Sequence, residues 1–66
     1  MSVAKVIEIS SSSTESFDAA LRDGIAKASK TVKNIKSAWV QDQQVSVAGG
    51  KITEYRVLIK LTFVLE

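Results

Sequence analysis

The chain has no cysteine and no histidine. The first absence excludes disulfides and thiolate zinc sites. The second removes the commonest metal ligand and the commonest general base. Nothing in the sequence approaches the length of a membrane span, and the N-terminal "MSVAKVIEIS" lacks the apolar core of a signal peptide. Excess charge is scarce as well. Nine basic and seven acidic residues leave a net +2, too little by itself to imply nucleic acid. The expectation is a cytoplasmic protein with no membrane or nucleic-acid partner.

What the chain does have is apolar surface. It is 66 residues long and 45% hydrophobic, with a slightly positive mean hydropathy. That length makes one domain, residues 1–66. A domain of this size buries only about 60% of its unfolded surface, and its core rarely supplies more than ~3–5 kcal/mol. With disulfides and thiolate zinc sites excluded, oligomerisation is the remaining route to stability.

Four pieces follow along the chain. "VAKVIEI", residues 3–9, is rich in β-branched residues and predicts a strand. "SSSSTES", residues 10–16, predicts a loop and a helix cap. Ser12 and Glu15 fit a capping box, and Ser13 is an equally good N-cap. A nucleophilic serine has no histidine to activate it. A helix is predicted over Thr14–Lys33. Its stripe is Phe17, Leu21, Ile25, Ala28, Val32 and Ile35, with Asp18, Arg22, Asp23, Lys27, Lys30 and Lys33 opposite. Asp23 and Lys27 form a favourable i,i+4 pair. No aromatic residue interleaves with these lysines to stack on bases, so this face is read as solvated.

The last thirty or so residues predict a hairpin, with Gly49 and Gly50 as its loop. Regular pairing from that loop sets Val40 opposite Ile59, Trp39 opposite Lys60, Gln41 opposite Leu58, Gln43 opposite Arg56 and Val45 opposite Glu54. Opposed residues share a face. One face, with Ala38, Val40, Tyr55, Val57, Ile59, Leu61, Phe63 and Leu65, is almost wholly apolar and takes the helix. The other, with Ser37, Trp39, Gln41, Gln43, Val45, Val47, Ile52, Glu54, Arg56, Leu58 and Lys60, is mixed, with apolar residues at the turn end and at Leu58. Such a face suits a contact between copies, a ligand wall, or both. This register turns Trp39, the single tryptophan, away from the helix. It leaves Asp42 on the helix side.

A strand, a helix and a long hairpin within 66 residues, with "KVIEI", "ASKTVKNI", "GKITEYRV" and the terminal "TFVLE" in order, resemble the dodecins. The resemblance implies an α+β fold of β-α-β-β order, a three-stranded antiparallel sheet wrapped around one helix. It also implies a hollow homododecamer that stores or sequesters flavin (riboflavin, FMN or FAD) and is not an enzyme. In flavin-binding members the ring stacks on a tryptophan at two-fold contacts, and a glutamine touches its polar edge. This chain departs from that pattern at both places: Ser37 stands at the usual tryptophan position with Trp39 two residues later, and Arg56 stands at the usual glutamine.

Residues two apart on a strand lie on one face, about 6.6 Å apart, so Trp39 shares a wall with Ser37. The candidate ligand-binding residues are Trp39, Arg56, Ser37, Gln41, Asp42 and Gln43. Arg56 suits a carbonyl edge or a phosphate. Two readings stay open for Trp39. It stacks on a small planar ligand, or it seals an interface, packing on its two-fold mate or under Arg56 as a cation–π pair. In the second reading the protein is a structural dodecameric cage whose flavin pocket is altered, holding another small ligand, a metal ion, or none. Glu8, Asp42 and Glu54 are the carboxylates that would meet a hard cation across subunits, though no loop spacing marks a metal site. No catalytic residue is assigned.

Overall fold

The computed structural model describes residues 3–65. Their order is β1 (Val3–Ser13), α1 (Phe17–Ala28), β2 (Ile35–Ala48) and β3 (Lys51–Leu65). All pairings are antiparallel, and β3 lies between β1 and β2. The expected β-α-β-β fold is therefore present. Among the described residues no helix is long and apolar enough to cross a membrane.

β1 runs four residues further than its apolar run. Ser10–Ser13 pair with Leu58–Tyr55 and are strand, not the expected loop. The ladder carries them, because a long central partner offers hydrogen bonds whatever the side chain. Their small size also serves the packing of α1. A Cβ built on Gly24 of that helix would lie 2.9 Å from Ser11 Cβ and 3.0 Å from Ile59 Cδ1. Helix and strand approach so closely that Gly24 has no room for another carbon.

The cap is Ser16, not Ser12 or Ser13. Its Oγ accepts a hydrogen bond of 2.9 Å from the Ala19 amide. Ser13 Oγ instead accepts from Glu15 N at 3.0 Å, a local turn that ends the strand. α1 stops at Ala28, short of the predicted Lys33. The Val32 amide still reaches back to Ala28 O (2.8 Å), and Asn34 then takes a left-handed φ of +64° that swings the chain into β2. Val32 and Ile35 continue the apolar spacing but lie outside the helix. Ile35 packs on the core from β2. The helix's ion pair is Asp18–Arg22 (2.9 Å) rather than Asp23–Lys27.

The core is small. Ala20, Val57, Ile59 and Leu61 are fully buried, with Phe17, Leu21 and Ile25 half-buried around them. Three of these four lie at alternate positions of β3, the one strand flanked on both sides and covered by the helix. Phe17 meets Tyr55 edge to face, centroids 5.1 Å apart. Gly49 and Gly50 form the hairpin loop at φ +59° and +75°, the double positive φ of a type I′ turn.

Gly24→Ala is expected to destabilise the protein. Overpacking against Ser11 and Ile59 costs about 1–3 kcal/mol, and better helix propensity returns about 1 kcal/mol. The net loss of about 1 kcal/mol is measurable by urea denaturation. A more stable variant would show that the helix lifts off β1 at no cost.

Candidate ligand site

The sheet's other face is set by register, and the register departs from regular pairing at three places. Near the turn, Val47 opposes Ile52 and Trp39 opposes Lys60, as expected. Between these pairs Thr53 is an extra residue on β3 and Gln41 an extra residue on β2, and their shifts cancel. Every pairing between them is therefore displaced by one, and a one-residue slip exchanges faces. Asp42 opposes Leu58, Gln43 opposes Val57, Gln44 opposes Arg56 and Val45 opposes Tyr55. A third extra residue, Lys36, sits beside Ser37, which pairs with Thr62.

Five expectations change accordingly. Val45, expected opposite Glu54 on the face away from the helix, lies opposite Tyr55 on the helix side. Asp42 joins the face away from the helix. Gln43 leaves it for the side of Val57, although it still borders the pocket described below. Gln41 has no direct partner on β3 and is exposed. Gln44, which regular pairing would have turned inward, takes the place assigned to Gln43. Trp39, Ser37 and Arg56 stay on the expected face.

That face consists of cross-strand rows. Val6, Thr62 and Ser37 form one; Glu8, Lys60 and Trp39 the next; then Ser10, Leu58 and Asp42; then Ser12, Arg56 and Gln44. Trp39 is 48% exposed, a large share of open surface for an indole. Leu58 is half-buried. Around it Ser10, Asp42, Gln43, Gln44 and Arg56 line a cavity of about 230 Å³ with an apolar floor and a polar rim.

Arg56 is already engaged. Its Nη2 donates to Glu54 Oε1 at 2.7 Å and its Nη1 to Gln44 Oε1 at 3.2 Å. Gln44 reaches it only because the Gln41 bulge brings the two into opposition. Trp39 and Arg56 share the face but are not adjacent. Four residues of β3 separate Lys60 from Arg56, about 14 Å at ~3.4 Å per residue. With its guanidinium held by Glu54 and Gln44, away from the row of Lys60, Arg56 does not cover the indole within one protomer. Ser37 is one row further still. Among the described residues no three carboxylates cluster as metal ligands, so Glu8, Asp42 and Glu54 do not converge within a protomer.

Sequence reasoning missed Gln44 and Ser10, left Lys60 without a role and considered Glu54 only as a cation ligand. The face of Gln44 depends on a bulge that no residue pattern announces. Ser10 was hidden in a run that reads as loop.

Comparison with known proteins agrees with this architecture. The sequence matches the Dodecin family over residues 3–66. No curated protein matches it. A crystal structure of a T. thermophilus dodecin mutant superposes with a TM-score of 0.94 at 27% identity, covering 100% of this chain and 98% of that one. The dodecin from Streptomyces davaonensis gives 0.93 at 31% identity, over 98% and 96%. A calcium dodecin from Mycobacterium tuberculosis, described as a calcium-chelating immunodominant antigen with a novel calcium-binding site, gives 0.83 at 32%, over 97% and 91%.

Proposed function

The chain belongs to the dodecin family, and from that premise we propose that it assembles as a hollow homododecamer that binds and stores a flavin (riboflavin, FMN or FAD) by stacking on Trp39 at contacts between copies. The observation that carries the reading is a half-exposed Trp39 on an open sheet face, beside a polar-rimmed cavity floored by Leu58. The residues present fit the group. The indole offers a flat stacking surface, and Leu58 supports the apolar body of a ligand. Ser10, Asp42, Gln44 and Arg56 offer acceptors and donors to a ring edge or a hydroxylated chain. The function is binding in the cytoplasm, with no catalytic step and no nucleic-acid or membrane partner.

Assembly supports the site as well as the fold. The separation of about 14 Å between the rows of Trp39 and Arg56 is bridged when two copies face each other about a two-fold axis near Leu58. Trp39 of each copy then lies toward Arg56 of the other. The hairpin end also leaves Val45, Val47 and Ile52 exposed, an apolar area that a neighbouring copy covers.

Titration with riboflavin or FMN is expected to quench both the ligand's emission and that of Trp39, the only tryptophan. Unchanged Trp39 emission at tens of micromolar ligand overturns the flavin reading. Light scattering on the purified protein tests the assembly separately, and a stable monomer or dimer at micromolar concentration overturns it.

A further inference from the structure

The part of the hairpin that lines the cavity has two possible registers between the same ends. In the structure Asp42–Ser46 oppose Leu58–Glu54, with Gln41 and Thr53 left over as extra residues. Regular pairing between Trp39–Lys60 and Val47–Ile52 would take up both extra residues. It would set Gln41 opposite Leu58 and Gln43 opposite Arg56. The register that wins therefore decides which side chains line the face. On the reading of this face as the ligand site, we infer that Thr53 is a positioning residue. Its hydroxyl, at the far end of the hairpin, holds the observed register and so puts Asp42 and Gln44, not Gln41 and Gln43, on the ligand face.

The side chains of β2 do little to choose. Gln41, Asp42, Gln43 and Gln44 are all polar and all exposed, and a strand polar on both faces specifies its register weakly. The core does not choose either. β1 holds the other edge of β3 as far as the Ser13–Tyr55 pair, so Val57, Ile59 and Leu61 stay in place whichever way β2 pairs. Nor does the Arg56–Gln44 bond of 3.2 Å discriminate, because Gln43 would bring the same amide opposite Arg56 in the regular register.

One bond does discriminate. Thr53 lies beyond the end of β1, where only two strands remain. Its Oγ1 donates to Ser46 O at 3.2 Å. In regular pairing Thr53 would stand directly opposite Ser46, with its side chain perpendicular to the sheet and the Ser46 carbonyl lying along it. The hydroxyl then points away from that oxygen. Since the pairs at both ends are common to the two registers, the two bulges form and vanish together. The hydroxyl thus acts through the five pairs between them. Thr53 is itself about 17 Å from Leu58, five residues at ~3.4 Å each, and does not line the cavity.

The test exploits a chain without cysteine. Val45→Cys, Ser46→Cys and Glu54→Cys are introduced together, and the thiols are equilibrated in glutathione buffer. The thiol at position 54 closes on position 46 in the observed register and on position 45 in the regular one, because directly opposed residues share a face and lie within disulfide reach. Tandem mass spectrometry reads the ratio of the two disulfides. The Ser46 carbonyl belongs to the backbone and survives the substitution. The bond between positions 46 and 54 is expected to dominate. Adding Thr53→Val, which keeps the branched shape and removes the hydroxyl, is expected to move the ratio about five-fold toward the bond between positions 45 and 54, the scale of one hydrogen bond. Thr53→Ser, which keeps the hydroxyl, is expected to hold the ratio. A ratio that Thr53→Val leaves unmoved, or that Thr53→Ser moves equally, overturns the role of Thr53 whether or not flavin binds. Failure of the wild type to bind riboflavin at tens of micromolar overturns the flavin reading and leaves the register result standing, so the two failures are distinguishable.

Discussion

Ile59→Ala is expected to abolish independent folding of the protomer. Ile59 is fully buried at the middle of β3 and touches the helix where it comes closest, at Gly24. Truncating a buried isoleucine costs about 2–5 kcal/mol, as lost transfer energy plus the cavity left behind. That equals the ~3–5 kcal/mol a core this small supplies. Whatever stability remains must come from association, so unfolding should become steeply dependent on protein concentration. Thermal denaturation monitored by circular dichroism over a hundredfold concentration range checks this. Ile52→Ala, at a position 52% exposed near the turn, is the internal comparison and should change protomer stability by less than about 0.5 kcal/mol. Equal losses for the two variants would show that the hairpin end, not the β3 centre, holds the protein together.

Trp39→Ala carries the second large effect, on binding rather than folding. Removing a stacking indole is expected to cost about 1–3 kcal/mol of flavin affinity, on the scale of bases stacked on aromatic side chains. This corresponds to a weakening of about five- to 150-fold. The fold should tolerate the change, because the residue is half exposed and lies away from the helix. Ser37→Trp in the same background restores a ring one row further along, where the resemblance to flavin-binding dodecins places it. Partial recovery of affinity is expected, since Ser37 is exposed on the same face. Isothermal titration calorimetry reads both variants. Wild-type affinity in Trp39→Ala would leave the indole as a seal between copies and move the ligand elsewhere.

Legibility of the site varied residue by residue. Trp39 was placed on the correct face because the Gly49–Gly50 turn sets the register and the two offsetting bulges leave the pairings beyond them unchanged, and Arg56 because β3 has no extra residue between it and Lys60. Asp42 and Gln43 were placed on the wrong faces because they lie between those bulges. A bulge is a choice of the assembled ladder: an extra residue is accommodated where twist and packing favour it, and neither Gln41 nor Thr53 is an unusual strand residue. The cap moved for a related reason. Ser12, Ser13 and Ser16 are chemically equivalent caps, and β3 decided among them by drawing the first serines into β1.

The sequence by itself determined the order of elements, the β3 part of the core (Val57, Ile59 and Leu61, though not Ala20) and the turn. These follow from local period and from the two glycines: β-branched alternation in the strands, a one-sided apolar stripe in the helix, and positive φ at Gly49 and Gly50. It also carried the resemblance to the dodecins. Tertiary structure alone decided where the helix begins and ends, that four serines are strand, and that Gln44 rather than Gln43 meets Arg56. Each of these depends on which distant segment lies alongside: a long central β3 that extends β1, a left-handed Asn34 whose carbonyl accepts from Val64 N at 3.1 Å, and two bulges whose shifts offset each other. Contacts between residues far apart in the chain are paid for by the whole fold. For that reason no local pattern reports them.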